Sequence, residues 1–285
     1  MWQNMMSSHR FATPFSLLHA ASLLSHTRRI EKFKAAVDEV VTEDRSVVDL
    51  GTGTGVLALL AARAGARRVV GVDLDPLCIE YARAAAAANG LSDRVQFVVS
   101  HFADFALQSR ADVVICEMLS SMMLVEQQVE ACAHAVKNVL REGGVLLPRS
   151  ATVYAVPVEC PNVLSRFTVC DLTFRPVPQT VDHTLARDLA DPVVVVHFDF
   201  NDDTVRPVDT VLRFTIVDSG TVHGLVGFFE AVLTDRIRLE MTDGWRDLFV
   251  PLSSPVRVES GDELFVRLRY RPGDVTSLSV GVECI

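Results

Sequence analysis

The stretch SVVDLGTGTGVLALLAARAGARRVVGVDLDP, residues 46 to 76, constrains what this chain can fold into more than any other. Val47 to Leu50 is a short apolar run broken by Asp49, and Gly51, Gly53 and Gly55 follow in alternation with threonines. Glycines at that point let the backbone turn sharply and approach a ligand with no side chain in the way. Val56 to Ala64 is rich in Leu and Ala and reads as a buried helix, stopped by Gly65. Val69 to Asp73 is a second apolar run that ends in a carboxylate. Strand, glycine loop, helix and strand in that order open a parallel α/β sheet, which binds its ligand beyond the carboxyl ends of the strands.

Glycine loops serve dinucleotide folds, phosphate loops and methyltransferases alike, so the spacing has to choose. A dinucleotide fingerprint needs its third glycine where this chain has Val56, and the Gly-Lys-Ser/Thr of a phosphate loop is absent. The pattern D-x-G-x-G-x-G starting at Asp49, with Asp73 closing the next strand, resembles the first motifs of S-adenosylmethionine (SAM) methyltransferases. The resemblance implies that Asp49, Gly51, Gly53 and Gly55 shape the pocket for the amino-acid end of the cofactor and that Asp73 accepts the ribose hydroxyls. The plainer alternative is a helix start that only needs a tight turn.

The rest of the chain extends the sheet and then departs from it. From Phe15 to Val41 apolar residues recur at helical spacing, interrupted by Arg28, Arg29, Glu31 and Lys32, which on pattern alone read as a solvated face. Leu77 to Ala88 reads as a helix, Arg94 to Val99 and Ala111 to Cys116 as strands, Leu124 to Leu140 as a helix, Glu142-Gly143-Gly144 as a turn and Val145 to Leu147 as the start of a strand. After Pro148 helical periodicity gives way to period two. Val194, Val196, Phe198 and Phe200 are expected on one face of their strand, and Leu264, Val266, Leu268 and Tyr270 on one face of theirs. The expected fold is α/β: N-terminal helices over 1–45, a Rossmann-like sheet over 46–148 and an all-β barrel over 149–285.

Composition sets limits on function. With 285 residues, 49% hydrophobic and 22% charged, the chain reads as globular. A formal net charge of −9 argues against a protein held on nucleic acid by general electrostatics and suits a cationic substrate. Six cysteines at 78, 116, 132, 160, 170 and 284 form no C-x-x-C pair, so neither a metal site nor a disulfide framework is expected. No apolar run is long enough for a membrane span and the start shows no secretory pattern, so a cytoplasmic setting is expected.

Glu117 follows the fourth strand directly and Glu126 comes nine residues later. Two carboxylates brought together in a crevice call for a shared cation or proton. Taken singly, they also read as a helix-start acid and a solvated helix residue. From about Leu23 onward the chain is similar to the protein arginine methyltransferase family, whose hallmark is a loop with two glutamates at this spacing. The resemblance implies that Glu117 and Glu126 clamp a guanidinium and act as the catalytic pair. It places Arg29, in LLSHTRRIEKF, at the arginine that binds the SAM carboxylate, and Asp104 near the acid that contacts adenine. VHGLVGFFEAVLT at 222 to 234 is similar to a barrel strand of the family.

Departures from the family pattern bear on the acceptor. Ser120-Ser121 stand where the family has Gly-Tyr, and Asp243-Gly244-Trp245 where it has Thr-His-Trp. The acid that pairs with that histidine aligns with His26, which suggests an inverted His26–Asp243 pair and makes His26 and Trp245 substrate-side candidates. The family's N-terminal aromatic motif is reduced to Phe11, and its dimer arm, near 158–178, is short, which leaves a homodimer open. The expected activity is SAM-dependent N-methylation of arginine, free or in a protein. The number and position of the methyls would depend on space near Leu23, Ser120 and Met123. The rivals are a methyltransferase for an unrelated small molecule and a silent SAM-binding scaffold.

Overall fold

The computed structural model describes residues 17–283. Phe11, Phe15 and Cys284 lie outside the described residues. Five parallel strands, β1 (Ser46–Leu50), β2 (Arg68–Asp73), β3 (Val95–Val99), β4 (Ala111–Cys116) and β5 (Leu140–Leu147), form a sheet in the order β3-β2-β1-β4-β5. The order reverses between β1 and β4, so their carboxyl ends part and open a crevice. Val47, Val48, Leu50, Val69, Val70, Val113, Val114 and Ile115 are all buried, as strands covered on both faces require.

The helical pattern from Phe15 to Val41 takes the form, among the described residues, of α1 (Leu17–Ser22), a 3-10 turn at Leu23–Ser25 and α2 (Thr27–Val40), with His26 at φ −81° and ψ 66° before α2. Ser22 and Ser25 donate their hydroxyls to the carbonyls of His19 and Ser22, at 2.7 Å each. Such back-bonding competes with regular helix. The expected helix from Leu124 to Leu140 shrinks to α5 (Gln128–His134) and a π turn at Ala135–Val139. Residues before Gln128 are taken up by the loop, and β5 already begins at Leu140. Glu142-Gly143-Gly144 is therefore an irregularity inside β5, beside a register shift against β4, rather than a turn before it. Between β1 and β3 the helices α3 (Val56–Arg63) and α4 (Pro76–Ala88) lie close to the expected bounds.

Past residue 148 every strand pairing is antiparallel. The strand β6 (Ser150–Glu159) is flanked by Val193–Asp199 and Gly220–Val232; Gly220–Val232 pairs with Asp247–Val258, and Asp247–Val258 with Gln179–Val181. Val208–Thr215, Glu263–Arg271 and Asp274–Glu283 form a second sheet, and the two curl around a common apolar core. In Glu263–Arg271 the expected face is buried: Leu264, Val266, Leu268 and Tyr270 point inward. For the strand Val193–Asp199 it holds at Val196, Phe198 and Phe200, which pack in or against the core, but fails at Val194, where a bulge between Val194 and Val196 shifts the register. Val194 is 54% exposed and Val195, expected on the opposite face, is 7% exposed. Among the described residues no helix is long and apolar enough to cross a membrane.

A single apolar cluster runs from the parallel sheet into the β part through Met122, Met123 and Leu124, all fully buried. Met122 packs where Gly227 lacks a side chain: a Cβ there would come within 2.2 Å of its sulfur. Gly227→Ala is therefore expected to destabilise the protein by about 1–3 kcal/mol, an overpacking cost. It should also lower turnover by displacing the loop. Urea unfolding and a steady-state assay of the same variant would check both.

Candidate active site

The crevice is a cavity of about 870 Å³. Its lining brings together eight of the residues singled out in the sequence: His26, Arg29, Gly51, Gly53, Asp73, Glu117, Glu126 and Trp245. Gly51 and Gly53 form the turn after β1 with φ of 74° and 52°, and the amides of Gly51 and Thr52 both donate to the Val72 carbonyl at 2.9 Å. A Cβ on Gly51 would meet Met118 at 3.1 Å, so the turn and the following loop pass each other closely only because that side chain is absent. Asp73, at the end of β2, accepts from the amides of Gly53 at 2.8 Å and Asp75 at 2.9 Å. Burial raises its pKa, and those amide bonds oppose the shift.

Three predicted cofactor residues do not reach the lining. Asp49 is buried beneath the turn, where its carboxylate accepts from the Thr52 hydroxyl at 2.6 Å and the Ala58 amide at 3.1 Å. Burial pushes its pKa up to about 7. Its place is to hold the glycine turn onto α3. Gly55 caps α3 at φ 83°, and a Cβ there would lie 2.9 Å from Ala82 and 3.0 Å from Phe97, so its absence permits close packing instead of ligand approach. Asp104 stands exposed in the turn Phe102–Asp104, while Ser100, His101 and Phe102 supply the wall after β3.

In the lining of the cavity, the Arg29 guanidinium is in ion-pair contact with Glu117 and lies 4.3 Å from the centroid of the Trp245 ring. Arg29 is 7% exposed, which overturns the reading of its helix face as solvated. Burial lowers its pKa to about 10, and the nearby charge of Glu126 opposes that shift. Glu126 is pushed up to about 7 by burial, against the pull of Arg29. Desolvation therefore outweighs the attraction at both groups.

The loop between the two glutamates is fixed at both ends. Gln128, 0% exposed, accepts from the Met118 amide at 2.7 Å and donates to the Cys116 carbonyl at 2.8 Å. Ser120 accepts from the amides of Val125 at 3.3 Å and Glu126 at 3.1 Å. From the β part, Trp245 donates its indole N–H to the Leu119 carbonyl at 2.9 Å, Tyr270 its hydroxyl to the Met122 carbonyl at 2.9 Å, and Gly273 its amide to the Met123 carbonyl at 2.9 Å. The Ser121 hydroxyl donates to the Arg246 carbonyl. Met122 and Met123 hold left-handed φ of 61° and 52°, a strain these bonds keep in place. Of the residues expected to set the room for methyls, Leu23 and Ser120 line the cavity, while Met123 is buried behind it.

Sequence reasoning missed Gln128, whose only local signal is a polar residue at a buried position of an otherwise apolar helix face. It also missed Tyr270 and Gly273, for which no local signal exists. The His26–Asp243 pair is not formed. Asp243, 2% exposed, is bound by Lys32 at 2.6 Å and lies 3.6 Å from Arg28, while the His26 Nδ1 has no hydrogen-bond partner among the described residues. The His26 ring instead packs on Gly244, where a Cβ would approach it to 2.7 Å. His26 fills the volume that a side chain at 244 would occupy.

A parallel sheet with this strand order, a glycine turn after β1 and an acid closing β2 define a class I SAM-dependent methyltransferase fold. A model of the ribosomal protein L11 methyltransferase (PrmA) family matches residues 34–151, the part that carries the sheet. An arginine N(omega)-methyltransferase of Streptomyces achromogenes subsp. streptozoticus is 27% identical over 270 residues, 87% of this chain and 75% of that protein. A probable protein arginine N-methyltransferase 6 of Arabidopsis thaliana is 27% identical over 229 residues, 73% of this chain and 52% of that protein. Among solved structures, the Trypanosoma brucei PRMT1 enzyme–prozyme heterotetrameric complex with AdoHcy superposes with a TM-score of 0.79 at 21% identity, covering 92% of each chain. Arabidopsis thaliana protein arginine methyltransferase 10 does so with 0.73 at 20%, covering 89% of this chain and 87% of that one. Over most of its length the chain is thus similar to arginine methyltransferases, in sequence and in fold.

Gln128→Leu is expected to leave the Met118 amide and the Cys116 carbonyl buried without partners and to let Glu117 drift. A fall in kcat of about 10- to 100-fold should follow, with binding of S-adenosylhomocysteine retained. Calorimetry and initial rates on the same preparation would check it.

Proposed function

We propose that this protein transfers a methyl group from SAM to a guanidinium nitrogen of arginine, with Glu117 and Glu126 as the groups that grip the acceptor. The observation that carries this reading is the half-buried carboxylate pair: two acids on one braced loop, lining the cavity with Arg29 and the ring of Trp245. A guanidinium is planar, permanently cationic and matched edge-on to carboxylates. The charge of such a cation would oppose the desolvation that raises Glu126, as the charge of Arg29 already does.

The residues present fit the cofactor. Asp73 faces the cavity with both oxygens already oriented by amides, which suits a ribose diol, and Gly51 and Gly53 leave backbone where the amino-acid end would lie. Arg29 has five N–H donors, so it can hold Glu117 and a cofactor carboxylate together. SAM supplies an electrophilic methyl on a sulfonium. Glu117 and Glu126 fix the guanidinium plane and draw its positive charge toward the nitrogens they bind, leaving the third more nucleophilic. A methylated guanidinium that still carries its proton is a dication and sheds that proton readily. We assign its acceptance to Glu126, because Glu117 is committed to Arg29 and to the Leu119 amide.

Glu117→Gln and Glu126→Gln are each expected to lower kcat by about 10²- to 10³-fold while S-adenosylhomocysteine binding persists. Turnover that survives both changes would point to an acceptor other than a guanidine. A wild-type protein that binds the cofactor yet methylates no guanidine would point to a scaffold. Because Glu126 works as an anion and is held near 7, kcat/KM should fall as pH drops through about 7. The Glu126→Gln variant should lack that limb.

Cys78, Cys116, Cys132, Cys160 and Cys170 are unpaired thiols, which supports a reducing, cytoplasmic setting. Val169, Leu172 and Phe174, exposed in and beside the hairpin of Thr168–Val169 and Leu172–Thr173, support a second copy of the chain as partner. Sedimentation at two concentrations would check it.

A further inference from the structure

We propose that Arg246 receives the carboxylate of the acceptor, so that the acceptor is a free amino acid with a guanidine side chain rather than an arginine within a polypeptide. The inference rests on the arginine-methylation reading and names the substrate class of that same site. The arginines lining the cavity, among the described residues, are Arg29 and Arg246. Arg29 is committed to Glu117 at the glutamate end. Arg246 lies on the wall contributed by the β part, with Thr180, Gly244 and Leu248. Among the described residues it makes no ion pair. The charge of Arg246 reaches Asp182, one of whose carboxylate oxygens is engaged by the Thr184 amide and hydroxyl.

The backbone at 246 is not free to wander. Its carbonyl accepts from Ser121 in the glutamate loop, Trp245 before it stacks on Arg29, and Asp247 after it is buried. The base of Arg246 is therefore tied to the loop that holds Glu117 and Glu126, while its guanidinium remains uncommitted. Carboxylates on the loop and an exposed guanidinium on the β wall of the same cavity suit a molecule that carries both a guanidinium and a carboxylate. An arginine inside a peptide chain has no such carboxylate, because the group is spent in the next amide. The cover formed by α1, with His19, Ser22 and Leu23 in the lining and Ala20 close over Gly53, favours an acceptor that enters whole.

The test compares L-arginine, agmatine (the same guanidine without the carboxylate) and an internal-arginine peptide, with labelled-methyl transfer from SAM as readout. Wild-type protein is expected to favour L-arginine over agmatine by roughly 10- to 100-fold in kcat/KM, the worth of a charge-assisted hydrogen bond, and to favour it over the peptide as well. In Arg246→Ala that ratio should collapse toward one, with the loss in KM, and Arg246→Lys should restore part of it. S-adenosylhomocysteine affinity reports whether the variants are folded. Equal use of arginine and agmatine by wild type, a preference for the peptide, or an Arg246→Ala variant that keeps the ratio would overturn the inference and leave guanidine methylation standing. Failure of wild type to methylate any of the three would remove both.

Discussion

The contact between the Arg29 guanidinium and the Glu117 carboxylate, beneath the face of Trp245, is what the site is assembled around. Two carboxylates on one loop repel each other, and burial worsens the cost. Arg29 makes Glu117 tolerable there, and Trp245 makes Arg29 tolerable by offering the electron-rich face of its ring to a cation that has lost water. Glu126, pushed up to about 7 by burial, is stabilised by Arg29 only in part. A cation bound beside it would favour its charged form further. The chemistry proposed for the site follows from this grouping of acids, arginine and ring more than from the identity of any single residue.

Holding the pair in position is the work of the distant β part. The loop that carries both acids contributes its own carbonyls at Leu119, Met122 and Met123 to donors from Trp245, Tyr270 and Gly273, more than a hundred residues away in sequence. Two consecutive non-glycine residues at positive φ would not persist in an isolated peptide; here surrounding contacts over-determine them. The β part thus acts on the reaction through the geometry of the loop as well as through the wall it gives the cavity. This also explains why one apolar cluster runs unbroken from the sheet into the strands beyond it.

The glycine turn, Asp73 and the spacing of Glu117 and Glu126 were legible in the sequence because each is a local pattern whose geometry follows from a few consecutive residues. So was the burial of Leu264, Val266, Leu268 and Tyr270. What was not legible depends on contacts remote in the chain. A bulge put Val195 inward and Val194 outward, a local reversal before Val196, Phe198 and Phe200 resume the expected face, which strict alternation has no means of showing. Asp49 and Gly55 were grouped with the cofactor residues because a motif does not separate residues that shape a turn from those that face its ligand; the hydrogen bonds to Thr52 and Ala58 make that separation. Gln128, Tyr270 and Gly273 matter through single hydrogen bonds whose partners only the fold brings near.

The changed residues at 26, 243 and 244 make sense together as an exchange of volume and charge. His26 occupies the space left by Gly244, so the contact between helix and β part stays filled though no hydrogen bond joins His26 to Asp243. The charge moves to α2, whose Lys32 and Arg28 bind the buried Asp243. Arg28 and Lys32 lie one helical turn apart on one side of α2, and Arg29 and Phe33 one turn apart on the adjacent side, both buried. Asp243 therefore fixes the rotation of α2 about its own axis. With that rotation fixed and Phe33 seated in the core, Arg29 has one direction left to point, and Glu117 lies along it.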